Sequence, residues 1–155
     1  MDPFVLVPLA YLAAVSVPLA VTDSREHRLP NALVVPGLVV LAWALVGAAL
    51  RGHPDVLAGL AGAAAGAGVL GAGWALGAVG MGDVKLGVWL GGLAGMMGML
   101  GRPEVVASGL VAGGALAGVQ LAATFVGGAP LIAARIPLGP ALLTGFWTAI
   151  ARAFI

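Results

Sequence analysis

Apolar residues run along this chain in long blocks, separated by short interruptions rich in charge, glycine or proline. A helix that crosses a membrane needs about 20 apolar residues. On that ruler the chain divides into six spans, which predicts an all-α membrane protein with six transmembrane helices, a single domain over residues 1–155. The first span covers Pro3 to Thr22, and the polar stretch Asp23-Ser24-Arg25-Glu26-His27-Arg28 follows it. The second begins after Pro30 and Asn31 and ends near Leu50, where Arg51-Gly52-His53-Pro54-Asp55 makes a turn. The third runs from Val56 to Val79 and is broken by Gly80 to Asp83. The fourth runs from Val84 to Leu100, ahead of the turn Gly101-Arg102-Pro103-Glu104. The fifth covers Val105 to Val126. The sixth follows the glycine- and proline-rich segment Gly127 to Pro140 and reaches Ala151.

Composition agrees with the spans. Hydrophobic residues make up 61% of the chain and charged residues 8%, against about 25% charged in a soluble domain. The mean hydropathy is +1.12. A net charge of +1 with no run of Lys or Arg gives no nucleic-acid partner. The absence of cysteine excludes disulfides, thiolate nucleophiles and Cys-ligated zinc. The start carries Asp2 and no Lys or Arg, so the run from Phe4 to Val21 reads as a retained span and not a secretory signal. Glycine pairs at four-residue spacing (Gly62 and Gly66, Gly73 and Gly77, Gly87 and Gly91, Gly109 and Gly113) predict close helix packing. Gln120, inside the fifth span, is expected to form an interhelical hydrogen bond. Lys and Arg in the loops number four (Arg25, Arg28, Lys85, Arg135) against three (Arg51, Arg102, Arg152). That bias puts both termini outside and the loops after spans one, three and five in the cytoplasm.

Acids are scarce, six in all, and each costs ~2.5–3.5 kcal/mol at mid-bilayer. Asp23 and Asp83 both sit at breaks, with two spans between them, so both face the same side. Two carboxylates within hydrogen-bond reach share a proton. The ionised member activates a water and the protonated member polarises a carbonyl, which is aspartic-protease chemistry. Gly80 and Gly82 are expected to supply backbone angles closed to other residues and room for an extended peptide. Taken singly, Asp83 also reads as a helix N-cap or a local ion pair with Lys85, and Asp23 as a solvated end-of-span acid.

The stretch from Asp23 through Leu29-Pro30-Asn31 resembles the first signature of the type IV prepilin peptidases. Gly80-Met81-Gly82-Asp83-Val84-Lys85-Leu86 resembles their GxGD motif, and Arg135-Ile136-Pro137-Leu138-Gly139-Pro140 is similar to a Pro-x-Gly-Pro segment near the family's C-terminal end. The resemblance implies that Asp23 and Asp83 form the catalytic dyad, that Gly80 and Gly82 shape the site, and that Lys85 is an accessory charge. It implies no cofactor and no metal. The partners it implies are a prepilin or pseudopilin substrate helix and membrane lipid. The place it implies is the inner (cytoplasmic) membrane, crossed several times, with leader peptides cut at the cytoplasmic face. Arg25 stands where many bifunctional members carry a second acid, and the paired Cys motifs of their N-terminal segment are missing. Peptidase activity without methyltransferase activity is therefore expected, as in the compact peptidases of Flp/Tad-type systems.

The segment Pro137 to Pro140 is expected to break helix geometry, with Pro137, Gly139 and Pro140 as candidate substrate-binding residues, either as irregular backbone beside the acids or as a loop before span six. His27 and His53 fall on opposite sides and are expected to be solvated, and Arg25 and Arg28 to lie at the headgroups. Three other readings stand beside the peptidase: a presenilin-like GxGD protease with other substrates, which Pro140-Ala141-Leu142 resembles; a small ion- or proton-coupled transporter, with acids inside spans; and a non-catalytic scaffold.

Overall fold

A computed structural model describes residues 2–126 and 137–154. Residues 127–136, and with them Arg135 and the first part of the third motif, lie outside the described residues. Among the described residues there are six α-helices and no strand: α1 (Pro3–Glu26), α2 (Asn31–Leu50), α3 (Val56–Ala75), α4 (Met81–Met96), α5 (Pro103–Val126) and α6 (Leu138–Phe154). A 3-10 turn, Met99–Gly101, follows α4. The six expected spans thus correspond to six helices. Of these, α1, α2 and α3 are long and apolar enough to cross a membrane. With 16 and 17 residues, α4 and α6 extend only ~25 Å at ~1.5 Å per residue, short of a ~30 Å hydrocarbon core.

Local chemistry sets the helix ends. The Asp2 carboxylate accepts the Phe4 N–H at 2.9 Å, and Pro3 occupies the first helical position, where its missing N–H is not needed. Pro8 and Pro18 lie inside α1 and Pro36 inside α2. In an apolar surrounding such prolines survive because neighbouring helices satisfy the freed carbonyls. The polar stretch expected to follow the first span is still helical as far as Glu26. The left-handed His27 (φ 51°) closes the helix, donating its N–H to the Asp23 carbonyl at 2.9 Å. Asp23 is therefore carried on the last turn of a rigid helix and not in a loop.

The centre of the molecule is formed by α1, α2, α4 and α6. Leu12, Leu19, Leu86, Trp89 and Leu93 are fully buried there. Trp147 donates its indole N–H to the Ser16 hydroxyl at 3.0 Å, joining α6 to α1. The Tyr11 hydroxyl donates to the Leu33 carbonyl at 3.1 Å, joining α1 to α2. Helix α3 rests almost wholly on α4, and α5 on α6. Both outer contacts run through small residues: Gly62 meets the Gly91 backbone, Gly66 meets Gly87, and Gly109 and Gly113 meet Gly145 and Ala141. Three of the four glycine pairs thus pack as expected. Gly77 instead lies past the end of α3 with φ +75° and no neighbour. The buried side-chain oxygen of Gln120 has no hydrogen-bond partner among the described residues. Val17, Val39, Val46, Leu57, Val69 and Leu110 point outward, the arrangement of a protein whose solvent is lipid.

Candidate active site

The chain runs up α1, back along α2, up α3 and back along α4. The end of α1 therefore meets the beginnings of α2 and α4, and α6 also begins there. Asp23 and Asp83 are the buried charged residues among those described, 3% and 8% exposed. Both line one cavity of about 480 Å³, together with His27, Arg28, Lys85 and the stretch Gly77 to Gly82, which ends in the first turn of α4. Arg28 is exposed and also lines this cavity. His53 lies near Asp2 and Asp55, away from this cavity.

Each acid is held by a backbone N–H. The Gly139 amide, in the first turn of α6, donates to Asp23 Oδ2 at 2.8 Å. The Gly80 amide donates to Asp83 Oδ2 at 3.2 Å, while Asp83 Oδ1 is buried with no partner among the described residues. Asp83 is not the N-cap residue. Gly80 takes that position, and Asp83 reaches back to it from the first turn of α4. The Asp83 carboxyl precedes the apolar run that begins at Val84 and so lies outside the spans. It is pushed up to about 6, first by burial and then by the charge of Asp23, with the Gly80 hydrogen bond opposing both.

The motif glycines are needed for space, a correction to the expected backbone freedom. Gly80 has φ −76° and ψ 149°, open to any residue, and neither Gly80 nor Gly82 has a positive φ. A methyl group on Gly82 would lie 2.8 Å from Leu29 Cβ, and one on Gly80 would lie 3.1 Å from Asp83 Oδ2. Gly139 is equally confined, since a methyl there would meet Asp23 Oδ2 at 2.8 Å and Leu29 Cδ2 at 3.1 Å. Leu29 is thus wedged between the first turns of α4 and α6, with an acid on either side. Lys85 Nζ donates to Asn31 Oδ1 at 2.9 Å, so the cation of the second motif is tied to the Pro-Asn of the first and not to Asp83.

The expected break at Pro137 to Pro140 is absent. Helix α6 starts at Leu138, so Gly139 and Pro140 occupy its first turn, where proline displaces no intrahelical hydrogen bond. Sequence reasoning missed two contributors here: the Gly139 N–H and the Leu29 wedge. A backbone donor leaves no side-chain signature, although the glycine itself marks the close approach.

Fold and site together define a helical membrane protein with a buried carboxylate pair at one end of its helices. A family model described as the type IV leader peptidase family matches residues 10–138, and the chain belongs to that family. The match takes in both acids, the glycine loop and Lys85, and stops one residue before Gly139. Membership makes the protein a peptidase, a hydrolase acting on peptide bonds. No curated protein and no solved structure matches the chain.

Proposed function

We propose that this protein is an intramembrane aspartic endopeptidase that removes leader peptides from prepilin-like substrates of the Flp/Tad or pseudopilin kind, at the cytoplasmic face of the inner membrane. The observation that carries the reading is the burial of Asp23 and Asp83, sixty residues apart in the chain, on one cavity. Neither acid has an ion-pair partner among the described residues; such burial is expensive, and functional sites are where that expense is kept.

In this mechanism Asp83 holds the shared proton and polarises the scissile carbonyl. Asp23, which accepts the Gly139 N–H, is the ionised member that draws a proton from the attacking water. Gly80 and Gly82 keep the cavity wall open to an extended peptide. Gly139 positions Asp23, with Pro137 and Pro140 flanking it at the substrate side. Lys85 and Asn31 lock the start of α4 to the start of α2. No cofactor takes part.

The test is mass spectrometry of a leader-bearing prepilin's N-terminus, with the protein present as wild type, Asp23→Asn or Asp83→Asn. Each variant is expected to lower cleavage by on the order of 10²–10⁴-fold. Full cleavage by either variant refutes the dyad. The same spectrum shows whether a methyl group is added, and none is expected.

A further inference from the structure

A second concavity lies outside the acid cavity, between α1 and α6. It encloses about 590 Å³. Val17 and Val21 form one wall, and Pro140, Leu143 and Thr144 the other. Its floor is closed by the Trp147–Ser16 hydrogen bond, and because Ser16 also donates to the Leu12 carbonyl at 2.7 Å, that floor has no spare polar group. Val17 and Val21 are 70% and 43% exposed, so the groove is open from the side. Its direction carries the argument. Along α1 it runs toward Asp23, which lies within one turn of Val21. On α6 it begins at Pro140, the residue after the amide that holds Asp23. Asp23, the Gly139 backbone and the Leu29 side chain lie where groove and cavity approach each other.

We propose that this α1/α6 groove seats the apolar helix of the substrate, with the bond to be cut emerging past Asp23 into the acid cavity. The proposal rests on the peptidase reading and adds the docking surface. The groove reaches from Pro140 to Ala151 on α6, about three helical turns or ~16 Å, roughly half of a hydrocarbon core. That length suits one helix packed along its axis with its leader end outside the apolar layer. The lining is mostly apolar, its Trp147, Ser16 and Thr148 side chains are already hydrogen-bonded within the protein, and small residues such as Ala20 and Thr144 allow close approach of an apolar helix. Helix packing of this kind, not charge, would hold the substrate.

The chain contains no cysteine, so single cysteines report position without removing others. In the Asp83→Asn protein, used so that the substrate is not cut during cross-linking, Val17→Cys or Thr144→Cys is combined with single cysteines along the apolar helix of a prepilin. Controls are Val39→Cys on α2 and Leu110→Cys on α5, both outward-facing. Oxidation is expected to give disulfides from Val17→Cys and Thr144→Cys several-fold more efficiently than from the controls, recurring every three to four residues of the substrate. Equal yields at all four positions, the pattern of a helix sampling bulk lipid, overturn the proposal. So do disulfides only between two copies of this protein. If the cysteine-free wild type cleaves the prepilin while groove positions fail to link, the groove is wrong and the peptidase stands. If the wild type cleaves nothing, both fall.

Discussion

Asp83 is the side chain on which the chemistry turns most sharply. Its carboxyl is pushed up to about 6 by burial and by Asp23. The protonated form is the one needed to polarise a carbonyl, and it is lost as pH rises through that value. The free enzyme's kcat/KM is therefore expected to be highest below about pH 6 and to fall about tenfold per further pH unit above it. On the acid side activity declines where Asp23 takes up its own proton. A profile of kcat/KM between about pH 5 and about pH 8, which brackets the Asp83 value, checks the sign. A rise with pH across that window would mean that Asp83 acts ionised. The apparent values belong to the pair, so Asp23→Asn is expected to remove the limb as well as the activity. The two single substitutions and the double are expected to be about equally inactive, because the acids act as one unit.

The helices contribute by where they begin and end. Asp23 is on the last turn of α1, Asp83 on the first turn of α4, and Gly139 on the first turn of α6. Leu29 fills the space between the latter two. A Gly139→Ala methyl would sit 2.8 Å from Asp23 Oδ2, forcing the acid or α6 to move. Misplacing a reacting group by about 1 Å costs on the order of 10²-fold in rate. Gly139→Ala is thus expected to lose that much cleavage while its thermal unfolding midpoint stays near wild type. The Lys85–Asn31 bond predicts a smaller loss. Lys85→Met and Asn31→Ala should each slow cleavage roughly fivefold, the worth of about 1 kcal/mol, and together should be no worse than either alone. These contacts also show what the sequence could reveal. The acids were legible because lipid makes each carboxylate conspicuous, and the six helices because long apolar runs mark them; apolar length alone did not show that α4 and α6 are shorter than a membrane core. The Lys85–Asn31 partnership, the Leu29 wedge and the Gly139 donor were not, since each depends on which helix ends converge. The helical start at Leu138 was not legible because proline, which breaks a helix in its interior, is tolerated in its first turn.

Across the fold, position rather than frequency decides what each glycine does. The chain has 26 glycines, and on composition alone they are interchangeable. In the structure they are not. On α3, Gly62 abuts the Gly91 carbonyl of α4, and any Cβ there would overlap backbone that cannot rotate away. Gly68, on the same helix, has nothing within 4 Å of an added Cβ. Because α3 rests almost entirely on α4, its attachment depends on such backbone-to-backbone contacts, which lipid-exposed helices use in place of a hydrophobic drive. Gly62→Ala is therefore expected to destabilise the protein by about 1–3 kcal/mol, read as a lower thermal midpoint in detergent, whereas Gly68→Ala should leave it unchanged or slightly raised. Gly91→Ala on the facing helix should match Gly62→Ala, because it meets the Gly62 carbonyl in turn. The consequence extends to the site, since α3 leads directly into the stretch Gly77 to Gly82 that walls the acid cavity. Loosening α3 should thus reduce cleavage in Gly62→Ala and Gly91→Ala but not in Gly68→Ala. Equal effects at positions 62 and 68 would mean that α3 is held by something other than its glycine face.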